Sequence, residues 1–332
     1  MNDQAYRVAV IPGDGIGPEV IEAALLVLQA SGVPFSFQHY EAGDDCLDQR
    51  GVALPQPTLE GARAAQAVLF GAVGNTAAEV ILRLRQELGT FVNLRPSKAF
   101  KGVDCLYPLT NITVVRENTE CLYAGIEDEL VPGVVTATRV ISREASVRIA
   151  RFAFEYAQQN GVGKVTAIHK SNVLRKSDGL WLRCCREVAE AFPDVTYEEQ
   201  LVDSAAMLLV TQPQRFELLL TTNLFGDILS DLIAGLIGGL GLCPSANLGE
   251  EHALFEPVHG SAPDIAGQGK ANPTAALLCA TMLLRHFKQP QQALRVERAL
   301  EQAIAAGQTT QDLGGTLSTM AMAEAVVNGM DG

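Results

Sequence analysis

Asp227 and Asp231, four residues apart in NLFGDILSD (223–231), are the side chains best placed by type and spacing to do chemistry. They follow an apolar stretch, Phe216 to Leu220, that reads as a buried strand. A polar turn, Thr221-Thr222-Asn223, leads from it into a segment of helical periodicity. Residues i and i+4 share a helix face, with Cβ atoms about 5–6 Å apart. Two carboxylates held that close repel each other, so a cation is expected between them. A hard divalent ion with oxygen ligands, Mg²⁺ or Mn²⁺, suits such a pair. The alternative is a first-turn aspartate on the positive helix end beside an ordinary surface aspartate. The pair alone does not separate the two.

Other residues extend the pattern. Asp203, in LVDSAAM, is expected to end a strand, where it is either a third oxygen ligand or, as position alone favours, the N-cap of a helix from Ser204 onward. Arg95 and Arg116 close apolar strands and Arg85 lies on a helix. Exposed arginines are usually solvated, yet guanidinium groups at strand ends also hold carboxylates in a two-bond fork. Lys170 closes the strand KVTAIHK; it is a solvated end residue or, partly buried near cations, a base. Tyr123 is either packed or a proton donor. Together these residue types suit metal-assisted oxidation of a 2-hydroxy acid whose neighbouring carbon carries a second carboxylate.

The elements that must position them alternate between strand-like and helix-like, which predicts an α/β architecture with a largely parallel sheet. Strands are expected at Tyr6–Ile11, Ala67–Phe70, Phe91–Leu94, Ile112–Val115, Lys164–Ile168 and Thr196–Val202. Helices are expected at Pro18–Ala30, Val80–Leu88, Ala145–Gln159, Ser177–Ala191, Pro273–His286 and Gln291–Ala306. The β-branched run Val134–Ile141 reads as an extended arm or hairpin. The 332 residues are enough for one large domain or two lobes, and 48% apolar residues can bury a substantial core. No apolar run reaches the roughly 18 residues of a membrane span, and the start, MNDQAYRVAVIPGDG, lacks the basic region of a signal peptide. Seven cysteines without a CxxC suit reduced thiols in the cytoplasm, and five histidines without HExxH argue against a zinc peptidase. A net charge of −13 disfavours a general nucleic-acid binder. GDGIGPE (13–19) misses the dinucleotide fingerprint, because Pro18 stands where a glycine is needed; a flexible turn and helix start is expected there.

Four long segments in order, GDGIGPE, RENTECLYAGIE (116–127), NLFGDILSDLIAGLIGGLG (223–241) and FEPVHGSAPDIAGQGKANP (255–273), resemble the β-decarboxylating dehydrogenases, the family of the isopropylmalate, isocitrate, homoisocitrate and tartrate enzymes. The resemblance runs from Ile11 to the DLGG at 312–315. It implies two open α/β lobes with a cleft between them: 1–98 plus 240–332 as a discontinuous cofactor-binding lobe, and 99–239 as a second lobe carrying the metal aspartates and the dimer interface. Arg85, Arg95 and Arg116 match the arginines that hold the malate carboxylates. Asp227 and Asp231 match the metal aspartates, and Asp203 the one supplied by the other subunit of a homodimer. Lys170, also from the partner, matches the acceptor of the hydroxyl proton, and Tyr123 the tyrosine that protonates the product carbon. In the segment His259–Asn272 the resemblance assigns His259, Gly260, Ala262, Pro263, Asp264, Ile265 and Asn272 to the nicotinamide dinucleotide. An aspartate at 264 followed by Ile265 implies NAD, since a carboxylate at the ribose repels a 2′-phosphate.

The substituent on the malate is read from AAEVILRLRQEL (77–88). On a regular helix Ile81 and Leu82 share a face with Arg85 at i−4 and i−3. Two aliphatic side chains suit an isopropyl group better than a carboxylate, so 3-isopropylmalate is expected first and homoisocitrate or isocitrate second. Bacterial-type isopropylmalate enzymes place a glutamate where Ala78 stands, with Glu79 one step off here; Arg83 is the residue that would favour a tricarboxylate. A regulatory subunit that binds ligand without turnover is the remaining class. Such subunits lose part of the catalytic set, and here every matched position is filled.

Overall fold

A computed structural model describes residues 5–330; the first four residues of the stretch read above against a leader lie outside it. In chain order the elements are β1 (Tyr6–Gly13), α1 (Gly17–Ala30), β2 (Phe35–His39), α2 (Asp44–Arg50), α3 (Gln56–Ala64), β3 (Ala67–Ala72), α4 (Arg83–Glu87), β4 (Val92–Lys98), β5 (Asn111–Glu117), β6 (Glu127–Val131), β7 (Val134–Ala137), α5 (Arg143–Asn160), β8 (Lys164–His169), α6 (Ser177–Ala189), β9 (Thr196–Leu201), α7 (Val202–Thr211), β10 (Leu218–Thr221), α8 (Asn223–Ile237), β11 (Pro244–Leu248), β12 (Ala253–Pro257), α9 (Thr274–His286), α10 (Pro290–Ala305) and α11 (Thr319–Gly329). No described helix is long and apolar enough to cross a membrane.

The chain divides into two compact units, 1–90 with 98–108 and 237–332, and 91–97 with 109–236. The expected cut at 98/99 therefore falls differently. Strand β4 groups with the second unit, and the segment after it returns to the first. In the first unit the strand order is β2-β1-β3-β12-β11, parallel except for the β11–β12 pair. Every residue of β3 is buried, as expected for a parallel strand covered on both faces. In the second unit the order is β4-β5-β10-β8-β9, with β10 parallel to both β5 and β8, and β8 parallel to β9. Helix α5 is set by local signals: the Ser142 side chain accepts from the Ala145 N–H, and Gly161 ends the helix at φ 67°.

Two expectations change in detail. The run Val80–Leu88 is not one regular helix: a π-type turn, Ala78–Leu82, precedes the short α4. The run Val134–Ile141 forms the hairpin reading over part of its length: β7 stops at Ala137 and pairs antiparallel with β6 about a turn at Gly133, φ 81°, and Val140 makes an isolated bridge to Cys121. Every residue of that hairpin's strands is exposed, including Leu130, Val131, Val134 and Val135.

Candidate active site

The register of the second unit assembles one end of its sheet. Thr221 at the end of β10 lies opposite Arg116 near the end of β5. Two residues later α8 begins at Asn223, and Lys170 directly follows β8. Carboxyl ends of parallel strands are where open α/β sheets bind ligands.

Asp227 is the centre of the first cluster. Arg116, only 1% exposed, forms an ion pair with its Oδ1, and the Tyr123 hydroxyl donates to its Oδ2 at 2.7 Å. Arg116 is itself fixed by Asn223, whose Oδ1 accepts from Nε at 3.0 Å and Nη2 at 2.7 Å. Its guanidinium carbon sits 5.0 Å from the centre of the Tyr123 ring. Arg95 lies between the two aspartates, with Nη1 3.6 Å from Asp227 and 3.3 Å from Asp231. Asn93 and Ser230 hold that guanidinium at 2.7 and 2.8 Å. Arg95 thus bears on both carboxylates of the pair. Arg95 is also not a strand terminus but a buried residue within β4.

The two carboxylates differ. Burial opposes the charge of Asp227, but Arg116, the Tyr123 hydrogen bond and Arg95 outweigh it and hold its pKa below the ordinary value. Asp231 is raised, by burial and by its neighbour Asp227 against the pull of Arg95. Its side chain is 52% exposed, and both of its hydrogen bonds fall on Oδ1, leaving Oδ2 without one among the described residues. Two hard oxygen donors on one helix face, one with an open atom, fit a divalent ion. The Tyr123 phenol is raised, chiefly by burial, and so keeps its proton.

Local backbone explains why the cluster forms. A Cβ on Gly226 would lie 2.3 Å from Thr221 Oγ1 and 2.6 Å from Arg116 Cγ, so only glycine lets α8 pack this closely. After β5 the Glu117 carboxylate accepts from the backbone N–H groups of Thr119 and Glu120, tightening the turn. Cys121 then takes φ 75°, a left-handed value uncommon outside glycine, and delivers Tyr123.

Lys170 and Asp203 form a second cluster, paired at 2.5 Å. Asp203 does not end β9; it lies in the first turn of α7, whose N-cap position is Leu201. The Lys170 hydrogen bond lowers its pKa. Among the described residues no three His, Cys, Asp or Glu side chains converge on a metal-sized site, so Asp203 does not join Asp227 and Asp231 within one chain.

The remaining residues lie in the first unit. Arg85 on α4 is buried and donates to Glu256 at 2.7 Å, a partner the sequence did not disclose. Its Nε is buried without a hydrogen bond. The π-type turn alters the expected face: Ile81 packs against the core cluster that includes Val80 and Leu84, and Leu82 is half-buried beside it. Arg83 is exposed and 3.9 Å from Glu87.

The segment from His259 is a chain of turns, with Ile265 N–H donating to Ala262 at 3.1 Å and Ala262 at φ 38°. His259 is kept neutral by burial. Its Nδ1 lies 3.0 Å from the Gly260 carbonyl, while Nε2 is buried with no partner. An orphaned ring nitrogen beside the exposed Gly260, Pro263 and Asp264 fits a polar ligand such as a dinucleotide. Asn272 is already committed, donating to Asp312 at 3.0 Å and accepting from Thr274 N–H at 2.9 Å at the start of α9. The GDGIGPE turn supports this loop: Ile16 N–H donates to Ser261 O at 2.8 Å, and a Cβ on Gly15 would lie 2.0 Å from the same oxygen.

Paired carboxylates, two arginines and a tyrosine thus gather at the carboxyl edge of a parallel sheet in an α/β protein. The isocitrate/isopropylmalate dehydrogenase family model matches residues 7–326, and the chain belongs to that family. It is 57% identical to the 3-isopropylmalate dehydrogenase of Archaeoglobus fulgidus, covering 98% of this chain and 99% of the relative. It is 53% identical to that of Methanothermobacter thermautotrophicus, covering 99% of each. Among solved structures, isocitrate dehydrogenase from Methylococcus capsulatus superposes with a TM-score of 0.95 at 43% identity, covering 98% of this chain and 100% of that one.

Proposed function

We propose that the protein oxidatively decarboxylates 3-isopropylmalate to 2-oxoisocaproate, the leucine-pathway step, using NAD and Mg²⁺ or Mn²⁺. The observation that carries the substrate is the half-buried Leu82, three residues before Arg85 in an apolar turn, with the exposed Arg83 lying 3.9 Å from Glu87. Arg85, Arg95 and Arg116 hold the malate carboxylates. The ion, held by Asp227, Asp231 and a partner's aspartate equivalent to Asp203, would supply the positive charge that favours loss of the hydroxyl proton and stabilises a developing oxyanion. NAD, bound by the 259–265 loop, would supply the hydride acceptor. Lys170 takes the hydroxyl proton, and Tyr123, its phenol kept protonated by burial, returns a proton to the product carbon.

The working unit is a homodimer with the site shared between subunits. The exposed apolar hairpin β6–β7, together with Met207, Val210 and Ile228 on α7 and α8, offers the surface for a second copy. All seven cysteines are free thiols, in keeping with a cytoplasmic setting. The test is NADH formation with Mn²⁺ and each candidate malate. The value of kcat/KM for 3-isopropylmalate should exceed that for isocitrate or homoisocitrate by at least roughly tenfold, since a carboxylate against apolar walls costs more than about 1 kcal/mol. Equal or better turnover of a tricarboxylate refutes the substrate reading, and no turnover of any of them points to a regulatory subunit.

A further inference from the structure

Lys170 is mounted more firmly than its exposed amine suggests. Its backbone N–H donates to Asp178 Oδ2 at 2.5 Å, and its carbonyl accepts from the N–H groups of Val173 and Leu174 at 3.0 and 2.8 Å. Asp178 is fully buried in the first turn of α6. Its other oxygen forms an ion pair with Arg139, which is itself mostly buried. Arg139 then reaches four further groups: Thr222 Oγ1 at 3.1 Å, Ser177 Oγ at 3.3 Å, Cys121 Sγ at 3.3 Å, and the Phe225 ring, 5.1 Å from the guanidinium carbon to the ring centre. A buried carboxylate that spends one oxygen on a backbone N–H and the other on a buried guanidinium cannot rotate without losing one of them.

We infer that Asp178, locked by Arg139, is a positioning residue for Lys170: it fixes the backbone from which the proton-accepting amine extends. The inference rests on the reading of Lys170 as that acceptor. If the site is shared, Asp178 serves the neighbouring subunit's substrate, although Arg139 touches the start of its own chain's α8. In Asp178→Asn the amide can offer its oxygen to Lys170 N–H or to Arg139, but its NH₂ then faces the other donor. One bond is lost whichever way it flips, and the amine loses its fixed origin.

The experiment compares Asp178→Asn, Arg139→Lys and wild type in steady-state assays with Mn²⁺, NAD and 3-isopropylmalate. Displacement of a reacting group by about 1 Å costs on the order of a hundredfold. We expect a kcat loss approaching that size in Asp178→Asn, a smaller loss in Arg139→Lys, and KM for the malate within about twofold of wild type, because the arginine clamps are untouched. Asp178→Asn is next unfolded together with Asp227→Asn, reassociated, and compared with a control mixture of Lys170→Ala and Asp227→Asn. Random pairing makes half the dimers hybrids with one intact site of two, so both mixtures should recover about a quarter of wild-type activity. Recovery also demonstrates that the Asp178→Asn chain folds. Wild-type kcat in both single variants overturns the inference, as does recovery of the control alone, which would assign Asp178 to its own chain's α8. Failure of the control strikes the shared-site reading instead. In that case a kcat loss at unchanged KM still supports positioning, and its absence overturns it.

Discussion

Alanine placed at two glycines of the same helix should act with opposite sign. Glycine to alanine in a helix ordinarily stabilises by about 0.5–1 kcal/mol, because the folded glycine gives up more backbone freedom. At Gly235 an added Cβ meets nothing within 4 Å, so Gly235→Ala should gain about that amount. At Gly226 the same atom would lie 2.3 Å from Thr221 Oγ1, 2.6 Å from Arg116 Cγ and 2.8 Å from Arg116 Cβ. Thr221 could rotate its hydroxyl aside. Arg116 Cβ cannot move without its strand, and the guanidinium is tied to Asn223 and Asp227. Overpacking of this kind costs about 1–3 kcal/mol, which exceeds the propensity gain and leaves Gly226→Ala destabilised by roughly 1–2 kcal/mol. The strain also falls on the clamp, so kcat/KM should drop on the order of ten- to a hundredfold, while Gly235→Ala stays near wild type. Urea melts and NADH-formation assays on the two variants read both effects. Shifts of the same sign, or a Gly226→Ala protein of wild-type stability and activity, would refute the packing argument.

The exposed Asp264 should set the cofactor choice: Asp264→Lys removes repulsion of a 2′-phosphate and adds a cation, narrowing the preference for NAD over NADP in paired kcat/KM measurements. His169 should make stability fall in mild acid. Burial holds its pKa below the ordinary 6.5, and its Nδ1 accepts from Ser171 N–H at 3.2 Å, so the unfolded chain takes up the proton first. Its contribution is complete above about pH 6.5 and is lost as the pH falls toward the folded ring's lower pKa; His169→Asn, which keeps an acceptor, should flatten the dependence of Tm on pH in that range. A charge on the exposed hairpin, as in Val135→Glu, should shift the sedimentation of the protein toward monomer and abolish turnover, whereas an unchanged dimer would show that the second copy docks elsewhere.

What was legible in the sequence was chemistry carried by short spacing. The i,i+4 aspartates do share a face of α8, and the alternation of elements does give largely parallel sheets, because both follow from local periodicity. What was not legible depends on partners far along the chain. Nothing near Arg85 announces Glu256, nothing near Arg116 announces Asn223, and the lock of Lys170 joins Arg139 to Asp178 across three elements. The turn before Arg85 failed for a different reason. Its apolar pattern fits a regular helix, but a π-type turn widens the spacing by one residue, so Ile81 is drawn toward Val80 and Leu84 in the core. At Asp203 the strand–helix boundary falls two residues earlier than expected, between Leu201 and Val202, where propensity is least informative.

Repulsion between Asp227 and Asp231 is relieved in part by neighbouring guanidinium groups. Arg95 pairs with both aspartates and Arg116 with Asp227. Removing one partner of a buried pair ordinarily costs about 3–5 kcal/mol, which would make any Asp227 variant hard to interpret. Here Asn223 keeps two bonds to the Arg116 guanidinium whatever happens at Asp227, and Asp227 is itself only partly buried at 36% side-chain exposure. Asp227→Asn should therefore lose chemistry well before it loses its fold. That separation is what allows the hybrid-dimer experiments to report on the site: on the proposed shared-site reading, a chain lacking its acidic centre would still lend Lys170 to a partner.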